Sequence, residues 1–308
     1  MAINAAGGTP QYEGTFIPEI WSGKILVKFY ANTVIPAISN TDYEGEIKKV
    51  GSKIIIRTGP DMVIRKLSKG QNLIIDRPES PNSELEIDKA YYFNAICDDI
   101  DKHQTDLNLL DNWSRDAGQQ MKIEVDTEFL SLVYADAHAD NKGSTAGVKS
   151  NDIDMGVSGT PLTITKASIL DTIIDCDTIL DEQNVPEENR WFVIPPWMRG
   201  MLMKSDLKDA SLTGDGQSIL RNGRIGRIGN FTLYVSNLLT SVTDGSDTCW
   251  HAMAGQKNAI SFAAQMTKME TLRAESTFGT IIRGLNVLGY KTLKEEALVD
   301  VYCLKGGN

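Results

Sequence analysis

The run LDEQNVPEENRWFVIPPWMRGML, residues 180–202, decides the fold, read together with ESTFGTIIRGLNVLGYK, residues 275–291. The first run begins at the end of an amphipathic helix. Thr165 suits the cap of that helix, Ile169, Ile173, Cys176 and Leu180 lie along one side of it, and Asp171, Asp175 and Asp181 lie off that side. Trp191–Ile194 follows, four apolar residues in succession, and predicts a buried strand. Pro195-Pro196 then opens a short helix through Trp197 and Leu202. The second run is the turn and return of a long strand pair, Met266–Ala274 with Thr280–Leu293, joined across Phe278-Gly279. A last strand, Ala297–Leu304, closes the chain.

Before these runs the chain changes character several times. Residues 1–40 start polar and glycine-rich and turn apolar at Phe16–Trp21, with Ile20, Lys24, Val27 and Ala31 at helical spacing and Pro36 ending the run. Such an arm has an apolar stripe but no core before it, so it is expected to pack on a neighbouring subunit. Residues 41–96 predict two long strands around a loop. Ile47–Arg57 is β-branched and lysine-rich, while Leu85, Ile87, Tyr91, Phe93 and Ala95 alternate with Glu86, Asp88, Tyr92 and Asn94. The polar tip between them holds Lys66, Lys69, Gly70 and Pro78. A lone hairpin of this length is marginal in water and must lean on another surface. Residues 100–137 predict one long helix, with Leu107, Leu110, Ala117, Met121, Val125, Phe129 and Leu132 on its apolar stripe. Asp98, Asp99 and Asp101 sit where the helix dipole favours negative charge. Residues 138–160 are a loop, the chain is turn-rich from Gly214 to Ser246, and Phe231–Val235 within that stretch is a strand.

Composition narrows the function classes. The chain has 308 residues, 41% hydrophobic and 23% charged, with a net charge of −10. That is enough to bury a sizeable core. An acidic chain is a poor general binder of nucleic acid. No apolar run approaches a membrane span, and the first residues lack the basic flank and apolar block of a signal peptide, so the expected setting is a cytoplasm. Cys97, Cys176, Cys249 and Cys303 are widely spaced and form no CxxC pair, which predicts reduced, buried thiols.

Three stretches could be drawn as chemical sites. Asp98-Asp99-Ile100-Asp101 with His103 resembles a metal cluster, but a helix puts His103 well away from the face shared by Asp98 and Asp101. Asn151–Gly156 fails as a calcium loop, because its third position is Ile153 and its twelfth is Leu162. Arg221–Asn230 is a local basic concentration in which Gly223, Gly226 and Gly229 could cradle a phosphate beside Arg221, Arg224 and Arg227. It matches neither G-x-G-x-x-G nor a P-loop, and a glycine-punctuated turn before Phe231 is the plainer reading. His251, after Cys249-Trp250 in an expected strand, reads as a satisfied, partly buried histidine, and no G-x-S-x-G motif surrounds any serine. Catalytic, cofactor and metal residues are therefore assigned to none.

Taken in order, several segments resemble the major capsid proteins of tailed bacteriophages: FIPEIWSGKIL at 16–26, YEGEIKKVGSKIIIR at 43–57, Asp99–Gln104, Leu180–Leu202, Leu220–Asn237 and Gln265–Leu298. The resemblance implies an α+β fold of the Hong Kong 97 type. It divides the chain into an N-terminal arm (1–40), an extended β-hairpin loop (41–96), a peripheral domain with a long spine helix (97–160), an axial domain (161–264), peripheral-domain strands (265–293) and a return to the axial domain (294–308). It further implies a structural protein of the virion that self-assembles into pentamers and hexamers of an icosahedral head. That head is assembled in the host bacterial cytoplasm and encloses double-stranded DNA without sequence-specific binding. A portal is expected, together with a cement or decoration protein where one exists. With about 40 residues before the extended loop there is no room for a large cleavable scaffold, so a separate scaffolding protein is implied.

On this reading the inter-subunit contacts fall at Ile17, Ile20, Trp21 and Ile25 of the arm and at Lys66 and Lys69 of the loop tip, the lysines reaching an acidic neighbour. Removing residues 1–34 is then expected to leave a folded chain that assembles poorly. Arg221, Arg224 and Arg227 fall near the centre of the capsomer, with Asp206, Asp209 and Asp215 as candidate partners. Two alternatives stay open at this point: an encapsulin-like shell around protein cargo, and a phosphate-binding enzyme using the Arg221–Asn230 loop.

Overall fold

A computed structural model describes residues 31, 33–43, 53–57, 59–60, 62–77, 82–104, 109–205, 227–275 and 277–307. Ile17, Ile20, Trp21 and Ile25, as well as Arg221, Arg224, Asp206, Asp209 and Asp215, lie outside the described residues.

The strand Trp191–Ile194 organises the rest. It forms β5 (Arg190–Ile194), every residue of which is buried. β5 lies inside a sheet of order β4 (Leu162–Ile164), β12 (Leu298–Lys305), β9 (Asp247–Gln256), β5, β7 (Phe231–Val235), β6 (Arg227–Ile228), with β8 (Ser241–Asp244) paired to β9. β5 runs parallel to β7 and antiparallel to β9. Its side chains divide by parity, as a pleated strand requires. Phe192 and Ile194 enter one apolar cluster with Ile173, Cys176 and Leu180 of helix α4 (Ile169–Glu182) and Met198, Met201 and Leu202 of helix α5 (Pro196–Lys204). Trp191 and Val193 enter a second cluster with Val125, Phe129 and Leu130 of helix α3 (Leu109–Leu132) and Val34, Ile35 and Ile38 at the short helix α1 (Ile35–Ile38). With both faces covered, no polar alternation is possible.

Local chemistry explains the helices of this layer. Thr165 and Ser168 cap each other reciprocally: the Thr165 N–H donates to Ser168 Oγ at 3.0 Å and the Ser168 N–H to Thr165 Oγ1 at 3.3 Å. Pro196 opens α5, where its missing N–H costs no helical bond.

A second, three-stranded sheet has the order β10 (Ile260–Arg273), β11 (Gly279–Thr292), β3 (Lys89–Asp98). The long pair expected across Phe278-Gly279 is present, with Arg273 opposite Thr280 and Ile260 opposite Thr292. The return strand expected over 85–95 divides in two. β2 (Asn82–Glu86) pairs with β1 (Lys53–Arg57), whereas β3 pairs with β11. Alternation runs through both strands because each has one buried face; it reports a face and not a partner. The long helix expected over 100–137 is α2 (Asp99–Gln104) followed by α3, which ends at Leu132 in a 3-10 turn, Val133–Asp136. Leu132, placed on the stripe by spacing, is half exposed, and the buried positions are Leu130 and Val133. Buried Val125, Asp126, Phe129, Leu130 and Val133 keep the α-helical period, and Leu132 falls at the edge of their stripe.

Val34 is buried in the second cluster, and its N–H donates to Asp126 of α3 at 2.5 Å. A truncation through residue 34 would therefore cut into the core.

Arg190 is the pin of the layer. Its side chain is fully buried, donates to Asp177 Oδ1 at 2.5 Å and Asp181 Oδ1 at 2.6 Å on α4, and reaches the carbonyls of Val185 and Pro186. It thus ties α4 to the first residue of β5. Arg190→Ala would take a donor from two carboxylates and from the carbonyls of Asp177, Val185 and Pro186. The expected loss is about 3 kcal/mol, because breaking a buried pair strands its partners and the partial exposure of Asp181 moderates the cost. Urea unfolding measures it, and a change under about 0.5 kcal/mol, the level of an ordinary surface substitution, would show the pin to be dispensable.

Candidate assembly surfaces

Several buried polar groups of the body tie its elements together. His251 on β9 has Nδ1 2.9 Å from Asp300 Oδ2 on β12, and its ring stacks on Tyr134 at 3.8 Å. Tyr134 belongs to the turn that ends α3, so the pair seals α3 against the sheet. Burial pushes the Asp300 carboxyl up, and the hydrogen bond from His251 pulls it back. Asp99, drawn above as part of a metal cluster, is bound by the Arg273 guanidinium, with Nη1 at 2.9 Å from Oδ1. Among the described residues no group of His, Cys, Asp and Glu is arranged to hold a metal. Arg227 is exposed on β6 and donates to the Gly229 carbonyl at 3.3 Å. It shares its groove with Glu187 and Glu188, carboxylates that would repel a phosphate there.

The extended loop is different. β1 and β2 form a two-stranded ladder, Lys53 opposite Glu86 and Arg57 opposite Asn82. Its base rests on the body, where Leu85 is buried against Ala263 of β10 with Ile54 and Ile56 alongside. Beyond that base the chain leaves every core. Ile64 is 91% exposed and Ile75 is 89% exposed, with Met62, Val63, Leu67, Leu73 and Ile74 also in solvent. Arg65 and Asp76 form an ion pair between the two legs. Lys66 and Lys69 are exposed at the tip, as expected, but the apolar residues around them are the larger feature. Sequence reasoning passed over them, although the signal was present as two apolar blocks, Met62–Ile64 and Leu73–Ile75, flanking a polar tip.

The three-stranded sheet supplies a second exposed surface. One face packs on α3, where Ser114 Oγ lies 3.1 Å from Met269 Sδ. On the opposite face Tyr92 stands across from Leu285, which in turn stands across from Lys268. Tyr92, Ile96 and Leu272 are exposed there. Glu270 accepts from Arg283 at 2.7 Å and pairs with Lys268, and both cations hold its carboxyl below the ordinary range. Beside them a shallow hollow of about 330 Å³ opens between Tyr92, Phe93 and Leu285, over Gly284. A Cβ at Gly284 would stand 2.2 Å from the Phe93 ring, so the glycine makes room for that ring. Phe278, at the turn between β10 and β11, is 83% exposed.

Comparison with known proteins follows this geometry. A family model described as phage capsid protein matches residues 98–301. A solved chain from Mycobacterium phage Che8 is similar at 25% identity with a TM-score of 0.74, covering 93% of this chain and 97% of that one. A chain from the capsid structure of cyanophage P-SCSP1u is similar at 15% identity and a TM-score of 0.72, over 94% of each chain. One from the capsid of cyanophage Pam1 is similar at 10% identity and a TM-score of 0.72, over 97% of this chain and 99% of that one. The two cyanophage likenesses speak for the fold. No curated protein matches the chain.

The remaining chemical candidates are the thiols. All four cysteines are free and buried. Burial pushes the thiols of Cys176 and Cys303 far up, and the neighbouring carboxylates add to the effect. A thiol that does not ionise is neither nucleophile nor metal ligand. In the folded chain Cys176 and Cys303 are expected to resist an aromatic disulfide reagent for hours, and to react within minutes in guanidinium. Mass mapping of fast native labelling to either residue would refute this.

Proposed function

The chain belongs to the phage capsid protein family, and on that premise we propose that its copies form the pentamers and hexamers of an icosahedral head around double-stranded DNA. It is a structural protein of the virion, a major capsid protein of the Hong Kong 97-type fold, and not an enzyme. Membership of the family implies assembly into a multimeric shell. The finer reading assigns the seven-stranded sheet with α4 and α5 to the axial domain, and the three-stranded sheet with α3 to the peripheral domain. Residues 41–96 supply the extended loop, although β3 within that span joins the peripheral sheet. Assembly in the bacterial cytoplasm on a separate scaffolding protein, around a portal and with a cement or decoration protein where one exists, belongs to the same proposal.

The observation that carries it is the exposed apolar surface of the extended loop. A side chain such as Ile gains roughly 1.5–3 kcal/mol when fully buried. Seven of them standing in solvent between residues 62 and 75 are a large unspent driving force. A second copy is the natural cover, because a ring of identical chains repeats one contact in which a patch of each chain meets a different, complementary patch of the next. Lys66 and Lys69 then add charge toward an acidic neighbour, the chain carrying a net −10. Ile17, Ile20, Trp21 and Ile25 of the arm serve the same purpose in this reading, and Arg221, Arg224 and Arg227 pack near the capsomer's centre. The acidic balance also suits a container whose contents must leave, because each neutralised phosphate would add affinity for the DNA. No observation favours a shell around protein cargo.

Substituting Ile64→Asp together with Ile75→Asp tests the loop. Both residues are solvent-exposed in the subunit, so its melting temperature is expected to stay within about 2 °C. Particles on a sucrose gradient and in electron micrographs should disappear. Lys66→Ala with Lys69→Ala should lower particle yield less, and mainly at low salt, where screening is weakest. Deleting residues 1–30, which spares Val34, should leave a folded chain that assembles poorly. Normal particles from the double aspartate variant would remove the loop from the assembly contacts.

A further inference from the structure

Asp126 is a buried carboxylate, 3% exposed, in the middle of α3. Among the described residues no cation pairs with it. Its Oδ2 accepts the Val34 N–H at 2.5 Å, and the Ile35 N–H also acts on it. Those two residues begin the segment through which the arm enters the body. The segment is held at its other end as well. The Asn40 N–H donates to the Ile260 carbonyl at 2.8 Å, and the Phe262 N–H donates to the Asn40 carbonyl at 2.9 Å. Between these fastenings Val34, Ile35, Ile38 and Ser39 are all buried, and Ser39 Oγ donates back to the Ile35 carbonyl at 2.7 Å. An amide would accept from the same backbone N–H groups without the cost of a desolvated charge, so a carboxylate here calls for a reason.

We propose that Asp126 is the positioning residue that sets where the N-terminal arm leaves the body, and that its grip on residues 33–40 tightens when it takes up a proton. Burial moves its carboxyl from an ordinary 3.8 to about 6, against the smaller pull of the two N–H groups. Burial and the two N–H groups are what act on Asp126; Glu124 and Glu128 share its helix, Lys89 of β3 is paired to Glu128, and α1 carries no charged residue. If the root of the arm detaches, Asp126 meets water and returns toward 3.8. Between the two values the anchored state therefore holds more protons than the detached one. Acid favours anchoring, and the advantage is lost as pH rises through about 6. The same sign holds for global unfolding, because the folded value lies above the unfolded one.

The purpose of this anchor rests on the arm reading above, whereas its existence does not, and the test separates them. Hydrogen exchange of the 33–40 backbone is measured on the full-length chain at pH 5 and pH 7.5, with each rate divided by the intrinsic rate at that pH. For the native chain the opening of this segment is expected to rise about tenfold from pH 5 to 7.5. For Asp126→Asn, which keeps an acceptor and loses the charge, opening should be low and equal at both pH values. Asp126→Ala should open at both, and if that variant fails to fold the asparagine comparison stands alone. Equal pH dependence in the native and asparagine chains would overturn the proposal. Confirmed exchange behaviour with normal particles from the chain lacking residues 1–30 would keep the anchor and sink the arm's role in assembly.

Discussion

A strand with apolar side chains on both faces must be covered on both, and this fold is arranged around meeting that demand for β5. Phe192 and Ile194 call for one cover, which α4 and α5 supply, while Trp191 and Val193 call for another, which the second half of α3 and the arm root supply. The two covers come from different stretches of the chain, one flanking β5 directly and the other lying well before it. α3 also carries the three-stranded sheet, so filling the second core fixes that sheet relative to the first. Arg190 sets the strand's start by holding α4, and His251 with Tyr134 seals the far side. A subunit assembled this way behaves as one body through its centre, which a shell protein needs if contacts at its edges are to transmit geometry and not be absorbed by internal bending.

Stability is correspondingly uneven. Core clusters, reciprocal caps and buried pairs gather in the two layers around β5, whereas the β1–β2 ladder has only Leu85, Ala263 and a few isoleucines at its base. An isolated two-stranded ladder contributes little of its own. The extended loop therefore has a well-defined base and a tip whose order depends on what covers it. Residues 34–40, by contrast, are buried at Val34, Ile35, Ile38 and Ser39 and fastened at both ends.

Much of this was legible in the sequence, and the failures have physical causes. Trp191–Ile194 could be read directly, because an unbroken apolar run bounded by turn residues has few other meanings. The Pro195-Pro196 helix start, the Thr165 cap and the long β10–β11 pair were equally local signals. What misled was partner identity: alternation from Leu85 to Ala95 continues across Ile87-Asp88, yet the two halves belong to different sheets. Arg190 was invisible because its burial depends on Asp177 and Asp181, one helix earlier, and nothing in the local pattern announces a buried cation. At the loop tip, attention to the lysines hid the isoleucines, since polar residues mark a turn and apolar ones between strands have no periodic signature. Residues 1–30 of the arm and residues 221–226 of the basic loop carry a sequence argument only.

The loop tip also shows how a chain can carry adhesive surface before it has a partner. Contiguous apolar patches on a flat face invite indiscriminate association. Here the exposed isoleucines are divided between two legs, tied by Arg65 and Asp76 and interrupted by Lys66 and Lys69. A narrow ridge of this kind presents little area to a random flat surface, and the charges make most such encounters unfavourable. It gains its full burial only from a surface shaped to take both legs at once. On the proposed reading, specificity for another copy of the same chain follows from shape and interleaved charge together. A net charge of −10 opposes close approach of copies that do not fit in this way.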